Sequence, residues 1–287
     1  MTLGVVTWTV DPILLEWGGV KVAWYGVFFA FGLIVFGMWM LGKMWQREEL
    51  PEPWLNKLVI YVLLATIIGA RLGHCLFYEP EYFLANPIEI LKTWKGGLAS
   101  HGGVIGIMIA IYIYSRRVTH RSVLWTFDRL CVPVGFVAAM IRLGNLMNHE
   151  IYGHATSLPW GFRFIENISE WRMGAEPIFS LPSHPTQIYE ALCYLLTFAV
   201  CMWLYWGAKK ANREGLIFGV AMMMIFTARF LIEFVKNNQV DFEAGMLLNM
   251  GQWLSVPFIL LGLILVIRAL RLPPKVYTKP FVPKQKK

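Results

Sequence analysis

The fold is decided by Leu130-Cys-Val-Pro-Val-Gly-Phe-Val-Ala-Ala-Met-Ile141 and by the residues that follow it directly, Arg142-Leu-Gly-Asn145-Leu-Met-Asn148-His-Glu150-Ile-Tyr-Gly153. The first run is apolar enough to cross a membrane. The second brings a strong cation, two carboxamides, a carboxylate and two glycines to the end of that run. Because such groups are costly at the edge of hydrocarbon unless they face a partner, the junction predicts a functional site at a membrane boundary.

The composition is that of a membrane protein. Of the 287 residues, 57% are hydrophobic and 15% are charged, and the mean hydropathy is +0.52, outside the usual range of soluble domains. We therefore expect one polytopic membrane domain over residues 1–287, with no removable signal peptide. The net charge of +8 is spread between apolar runs and forms no basic face, so no nucleic-acid partner is expected. Four cysteines lie within apolar segments without Cys-x-x-Cys spacing, which is typical of small buried hydrophobes: Cys75, Cys131, Cys193 and Cys201.

A spanning helix needs roughly 20 mostly apolar residues. The sequence accordingly predicts an all-α polytopic membrane protein with about seven transmembrane helices. The predicted spans are 24–42, 58–77, 98–115, 123–141, 187–206, 215–234 and 252–270.

Lys and Arg predict the orientation, since they are enriched on the cytoplasmic side. The connections after the first, third and fifth spans, together with the C-terminal tail, hold sixteen of them against seven on the other side. The N-terminus is therefore expected outside and the basic tail, 271–287, in the cytoplasm. The 142–186 connection is too long for a simple turn and predicts a small extracytoplasmic cap. Trp8, Trp17 and Trp24 suit an interfacial aromatic belt.

Polar side chains from five predicted spans fall at one depth, near the outer ends of those spans. At 1.5 Å per residue along a helix, these side chains share a layer that random placement would not produce. The layer comprises Tyr25, Arg71, His74, His101, Arg142, Asn145, Arg229 and Glu233.

Several members of this layer have a structural alternative. Arg229 and Glu233 are spaced i, i+4 and could form an intrahelical ion pair. Arg71 could extend to the headgroups, although its depth favours an interior role, and His74 is expected to be structural. His101 is the stronger histidine because the two following glycines, 102 and 103, allow another group to approach closely; those glycines could equally be a helix-packing surface.

Two tempting motifs fail. His149-Glu150-Ile-Tyr-Gly-His154 has one residue too many for a zinc-protease helix, so no metal is expected. Gly102-Gly-Val-Ile-Gly106 lacks the strand and the spacing of a dinucleotide loop, and no cofactor is expected. Arginines at headgroup depth instead match a phosphate, because guanidinium groups bind its oxygens bidentately. From the residues alone, the chain is an outward-facing enzyme or binder acting on an anionic phospholipid.

The alternatives belong to other classes. A lipid or anion transporter would also use arginines, but it usually has internal symmetry, and no repeat is visible. A structural lipid-binding subunit would leave the asparagine and glutamate cluster beside Arg142 unexplained. An intramembrane protease would need paired aspartates or a Ser-His pair, and Asp128 is the only aspartate within a predicted span.

At Arg142–Gly153 the chain resembles the prolipoprotein diacylglyceryl transferase family of bacterial inner membranes. Two positions depart from the signature, Ile141 for Gly and Leu146 for Phe, and Ile225 stands where the family has a tyrosine four residues before Arg229. Further matches run nearly end to end: Trp24-Tyr25-Gly26, Gly69-Ala-Arg71-Leu-Gly73, Gly97-Leu-Ala-Ser-His101-Gly-Gly-Val-Ile-Gly106, His184-Pro-Thr-Gln187-Ile-Tyr-Glu190, Arg229-Phe-Leu-Ile-Glu233-Phe and Met250-Gly-Gln252.

The resemblance implies a reaction. The sn-1,2-diacylglyceryl group of phosphatidylglycerol passes to the thiol of the lipobox cysteine in a preprolipoprotein signal peptide, which releases glycerol 1-phosphate. The hypothesis names His101, Arg142, Arg229 and Tyr25 as catalytic residues. His101 would be the base, the two arginines would bind phosphate, and Tyr25 would orient the lipid or the thiol. The substrate-binding residues would be Arg142, Asn145, Asn148, Glu150, Gly153, Glu233, Arg71, Gly102 and Gly103, with Glu233 holding Arg229.

Overall fold

The computed structural model describes residues 4–93, 96–237 and 247–278. Its helices dominate, with four short strands near the N-terminus and in the connection after the fifth helix. In chain order the elements are β1 (Val6–Thr7), β2 (Ile13–Trp17), β3 (Val20–Ala23), α1 (Trp24–Arg47), α2 (Glu52–Phe77), α3 (Pro80–Ala85), α4 (Ser100–Tyr114), α5 (Val123–Met147), β4 (Phe162–Arg163), α6 (Ile168–Arg172), α7 (Thr186–Gly207), α8 (Leu216–Val235) and α9 (Met250–Arg271).

The predicted fold class is confirmed. Among the described residues, six helices are long and apolar enough to cross a membrane, namely α1, α2, α5, α7, α8 and α9. The remaining predicted span, 98–115, corresponds to α4, which has 15 α-helical residues and continues as a π-helical turn over Ser115–Thr119. The α1 helix also contains a π-helical segment, Phe31–Gly37.

The helix of the predicted fourth span continues past the position at which the cap was predicted to begin. The predicted span ends near residue 141, whereas α5 continues to Met147. Arg142 and Asn145 therefore lie in the last turns of a helix. The reason is physical: the side chains of Arg142, Leu143 and Met147 are all compatible with a helix, and a charged side chain at its end can find partners without ending it.

The chain divides into two compact units. One comprises the described residues within Met1–Met40 and Asp128–Lys275, and the other those within Leu41–Phe127 and Val276–Lys287. The boundaries fall inside α1 and near the start of α5.

In the larger unit, α7 packs against α5 and α8. A buried cluster of Ala139, Met140, Ala191 and Tyr194 joins α5 to α7, and Ile225 of α8 packs against it. At the other end of α8, the Asp128 carboxylate accepts hydrogen bonds from the backbone N–H groups of Gly215 (2.7 Å) and Phe218 (2.9 Å). Asp128 thus caps the start of this helix, where backbone donors lack helical partners.

The connection between α5 and α7 folds into a small cap within the same unit. Its strand β4 pairs in parallel with β1, and isolated bridges join Ala155 to Ser183 and Ile165 to Phe179. His149 lies at the centre of these contacts. Its Nε2 lies 2.8 Å from the Val10 carbonyl oxygen, and its Nδ1 accepts a 3.0 Å hydrogen bond from the Ile165 N–H. Both ring nitrogens of this histidine therefore serve the cap.

In the smaller unit, glycines bring α2 and α4 into backbone contact. A Cβ added at Gly102 would lie 2.3 Å from the carbonyl oxygen of Gly69, and one added at Gly106 would lie 2.4 Å from that of Ala65. Gly102 therefore has no room for a side chain, whereas a Cβ at Gly103 would meet its nearest neighbour at an ordinary 3.6 Å. This is the small-residue packing that membrane helices use to approach closely.

Candidate active site

Arg142 is the centre of a buried charged cluster in the larger unit. Its Nε lies 2.6 Å from Oε2 of Glu190, a residue of the first turns of α7 that is only 1% exposed. Arg142 also donates from Nη1 to Asn145 Oδ1 (3.2 Å) and hydrogen-bonds the Tyr194 side chain. The guanidinium is thereby fixed from α5 and α7 together.

Lys236 extends this cluster. It follows α8 directly and is 3% exposed. Its Nζ lies 3.5 Å from Oε1 of Glu190 and 3.9 Å from Oε2 of Glu233. Arg142 and Lys236 therefore share Glu190, and two cations balance two carboxylates. Buried charges require such compensation, since an unpaired one is strongly unfavourable.

A relay of hydrogen bonds runs from Asn145 into the cap. The Asn145 and Asn148 side-chain amides donate to the same Glu150 oxygen, Oε1, at 2.8 and 3.1 Å. The backbone carbonyl of Glu150 in turn accepts from Gln187 Nε2 at 2.7 Å. Of the residues that the sequence proposed for headgroup binding, Arg142, Asn145, Asn148 and Glu150 form one continuous hydrogen-bonded chain.

Two glycines bring neighbouring segments against this chain. A Cβ at Gly144 would lie 2.7 Å from the Tyr25 ring, so Tyr25 packs directly on the backbone beside Asn145. A Cβ at Gly153 would lie 2.1 Å from the Val235 carbonyl oxygen, and Gly153 forms a β-bridge with Lys236. Gly153 thus allows the backbone contact that places Lys236 beside Glu190. Its assignment as a substrate-binding residue stays a prediction.

Arg229 lies on α8, half-buried and close enough to Tyr194 to act on it electrostatically, as Arg142 also does. The role assigned to Glu233, holding Arg229, stays a prediction. Among the described residues, Glu233 pairs with Lys236, and its carboxylate lies against Gly251 of α9. The Glu233 N–H still donates to the Arg229 carbonyl, as in an α-helix, and the 3₁₀ turn at Glu233–Val235 follows.

The other predicted site residues belong to the smaller unit. His101 is exposed in the first turn of α4, with its ring 5.8 Å from that of Phe77 and 5.7 Å from that of Tyr78. His74 stacks on Tyr78 and lies 3.8 Å from Glu79, in keeping with the structural role expected of it. Gly102 and Gly103 follow His101. The helix-packing role, given above as the alternative for these two glycines, fits Gly102, which has no room for a side chain.

Arg71 is nearly fully buried. Its guanidinium donates to four backbone carbonyls: those of Glu89 (2.6 Å), Ile90 (2.9 Å), Gly96 (2.7 Å) and Gly97 (3.1 Å). It also lies over the Phe83 ring at 4.8 Å. These contacts order the segment that precedes α4.

Three residues of the charged cluster and the relay were not predicted from the sequence. Glu190 and Gln187 stood in a matched motif but received no role, and Lys236 was counted only as a basic residue of a connection. A signal was present for Glu190, which is a carboxylate in the first turns of a predicted span and there needs a cationic partner. The pairing with Lys236 depends on the fold, because 45 residues separate the two positions.

Membrane-spanning helices that enclose a cluster of arginine, lysine, glutamate and asparagine define a multi-pass membrane protein with an internal polar site. The model of the prolipoprotein diacylglyceryl transferase family matches residues 12–268. The chain is 55% identical to the phosphatidylglycerol–prolipoprotein diacylglyceryl transferase of Porphyromonas gingivalis over 93% of its length and 96% of that relative.

Two further relatives carry the same name. The protein of Tolumonas auensis is 44% identical over 91% of this chain and 96% of its own, and that of Chloroherpeton thalassium is 41% identical over 94% and 96%. This chain therefore belongs to the prolipoprotein diacylglyceryl transferase family.

Proposed function

We propose that this protein transfers the sn-1,2-diacylglyceryl group of phosphatidylglycerol to the lipobox cysteine of preprolipoprotein signal peptides. The observation that supports the proposal is the position of Arg142 within the buried charged cluster, in a chain that belongs to this family. Its described partners, Glu190, Asn145 and Tyr194, use at most three of the five N–H donors of a guanidinium. The remaining donors suit the oxygens of a phosphate, and the names of the relatives agree with this substrate.

The proposed reaction is a single nucleophilic substitution. The cysteine sulfur attacks the carbon of the diacylglyceryl group that is esterified to the phosphate. The bond between this carbon and the phosphate oxygen breaks, and a thioether and glycerol 1-phosphate result. The thiol proton goes to a base, for which His101 is the candidate because its imidazole is exposed at the start of α4. Arg142 and Arg229 would stabilise the charge that develops on the departing phosphate.

The remaining site residues support these groups. Asn145, Asn148 and Glu150 form the relay that holds the headgroup side of the site, and Tyr25 lies on Gly144 next to that relay. Glu190, Glu233 and Lys236 act through Arg142 as positioning residues. For Arg71 the four carbonyl contacts favour a role in ordering the chain before His101 over contact with the lipid phosphate.

We further propose that the protein lies in the bacterial inner membrane with its N-terminus outside and its C-terminus in the cytoplasm. The distribution of Lys and Arg supports this orientation. It places the end of α5 and the cap at the outer leaflet, where exported signal peptides meet phosphatidylglycerol.

The test uses purified protein, phosphatidylglycerol and a lipobox peptide. We expect the peptide to gain the mass of one diacylglyceryl group on its cysteine while glycerol phosphate is released. Arg142→Ala and Arg229→Ala should each lose most of this activity, whereas Arg117→Ala, which removes an exposed arginine at the end of α4, should retain it. Binding of phosphatidylglycerol without peptide modification would refute the transferase and favour a lipid binder or transporter, which flux in liposomes would then distinguish.

A further inference from the structure

The N-terminal hairpin has two chemically distinct faces. Strands β2 and β3 pair in antiparallel fashion around Gly18 and Gly19, whose φ angles of +57° and +82° suit a tight two-residue turn. Cross-strand partners are Leu15 with Val22, Glu16 with Lys21, and Trp17 with Val20. Because side chains alternate along a strand, the first and third pairs share one face and the second pair lies on the other.

The polar face is tied to the cap. Lys21 Nζ lies 3.1 Å from Glu16 Oε1, and Arg172 at the end of α6 donates to Glu16 Oε2 at 3.0 Å. The same arginine pairs with Asp11 at 3.0 Å. The hydrogen bonds from Lys21 and Arg172 hold the pKa of Glu16 below its usual value, so this carboxylate stays charged at neutral pH. These contacts fix which face of the hairpin is turned away from the protein.

The apolar face is left uncovered. Trp17 is 83% exposed and Val20 is 65% exposed, and Leu15 and Val22 on the same face are also exposed. A contiguous apolar surface of this kind marks an interaction site. Exposure alone does not name the partner, which follows from the position of the hairpin in the chain.

The hairpin runs directly into the membrane. Strand β3 ends at Ala23, and Trp24 is the first residue of α1, a helix long and apolar enough to span the bilayer. At about 3.3 Å per residue, the four residues of β3 keep the turn within about 13 Å of the start of that helix. Tryptophan is enriched at this depth because its amphipathic ring suits the headgroup region.

We infer that the Leu15, Trp17, Val20 and Val22 face of the hairpin lies in the interfacial layer of the bilayer, next to the start of α1. The partner is the lipid surface itself. The polar face, held by Arg172, turns toward the cap, so the hairpin couples the cap to the membrane surface. The inference concerns membrane contact alone and stands whether or not the proposed transfer reaction is correct.

Site-specific fluorescence tests the inference. In a background lacking the four native cysteines, Val20→Cys carries an environment-sensitive fluorophore on the apolar face. Lys21→Cys is the matched control, one residue away on the polar face. The proteins are placed in nanodiscs with and without lipids that carry a nitroxide near the acyl carbonyls. Circular dichroism and gel filtration select variants that remain folded.

We expect the label at position 20 to emit at shorter wavelength than the label at position 21 and to be quenched several-fold more by the nitroxide lipids. Equal quenching by aqueous iodide at both positions would overturn the inference. Protection of position 20 that appears only with added lipobox peptide, or only at high protein concentration in detergent, would also overturn it. Those results would assign the face to a peptide or to a second copy of the chain.

Discussion

Lys236 Nζ lies 3.5 Å from Glu190 Oε1, and the two side chains are 3% and 1% exposed. Glu190 in turn contacts Arg142 Nε through its other oxygen. One buried carboxylate therefore sets the position of both cations. The arginine proposed to meet the lipid phosphate depends on a lysine that follows a different helix.

Lys236→Met tests this dependence. The substitution leaves Glu190 with Arg142 as its remaining described cation and takes from Glu233 its described cationic partner, and removal of one partner of a buried pair costs about 3–5 kcal/mol. We expect a lower midpoint of thermal unfolding in detergent and a loss of transferase activity. Lys236→Arg keeps the charge and should restore most of both. In Lys236→Met/Glu233→Gln the buried Glu233 charge is removed together with its cation, and stability should recover more than activity. Equal stability of the wild type and Lys236→Met would contradict the proposed charge balance.

Gly144→Ala tests the contact between α5 and Tyr25. The new Cβ would lie 2.7 Å from the Tyr25 ring and 3.1 Å from its Cα, so the tyrosine must move. Overpacking of this kind typically costs about 1–3 kcal/mol, and we expect activity to fall because Asn145 is the next residue. The control is Gly42→Ala in α1, where nothing lies within 4 Å of the added Cβ. Thermal unfolding and peptide lipidation are measured on both variants, and unchanged activity in Gly144→Ala would remove Tyr25 from the site.

Neighbouring glycines in α4 separate a packing role from a substrate role. In Gly102→Ala the Cβ would lie 2.3 Å from the Gly69 carbonyl oxygen and force α2 and α4 apart, so we expect clear destabilisation. Gly103→Ala meets only ordinary contacts and should melt close to the wild type. Differential scanning fluorimetry checks both. Loss of lipid transfer in Gly103→Ala with an unchanged melting temperature would support the predicted substrate contact there, and wild-type activity would remove it.

The cap should be sensitive to acid through His149. Burial lowers the pKa of this histidine below its usual value, and the neutral ring is required because Nδ1 accepts from Ile165 while Nε2 donates to Val10. Protonation is therefore disfavoured in the folded state. Stability is complete above the unfolded-state pKa, about 6.5, and is lost as the pH falls below it.

The measurement is the melting temperature of the wild type and His149→Asn between pH 8 and pH 5. The variant should start lower and depend less on pH, because asparagine tolerates the positive φ of +56° but does not titrate in this range. The control is His120→Asn, an exposed histidine with a φ of +54°. A pH dependence of His149→Asn equal to that of the wild type would show that other groups carry the acid sensitivity.

Much of the fold could be predicted because a membrane-spanning helix depends on the hydrophobicity of one continuous stretch of sequence. Runs of apolar residues predicted seven spans, and six of them correspond to described helices that are long and apolar enough to cross a membrane. The relay of Asn145, Asn148 and Glu150 was also predictable, since its members lie within six residues. The partners of Arg142 across the fold were not, because α7 and the end of α8 contribute them. The pairing of Glu233 with Lys236 was also not evident, since Lys236 lies beyond the end of α8 and the fold of the chain there brings the two side chains together.

The four carbonyls that accept hydrogen bonds from Arg71 indicate how non-helical backbone next to a bilayer can be stabilised. Backbone oxygens outside a helix need hydrogen-bond donors, and hydrocarbon offers none. In soluble proteins water supplies them, whereas here the fanned N–H groups of one guanidinium serve residues on both sides of the connection, Glu89 and Ile90 before it and Gly96 and Gly97 after it. A single side chain thus supplies hydrogen-bond donors that water would otherwise provide to these four carbonyls.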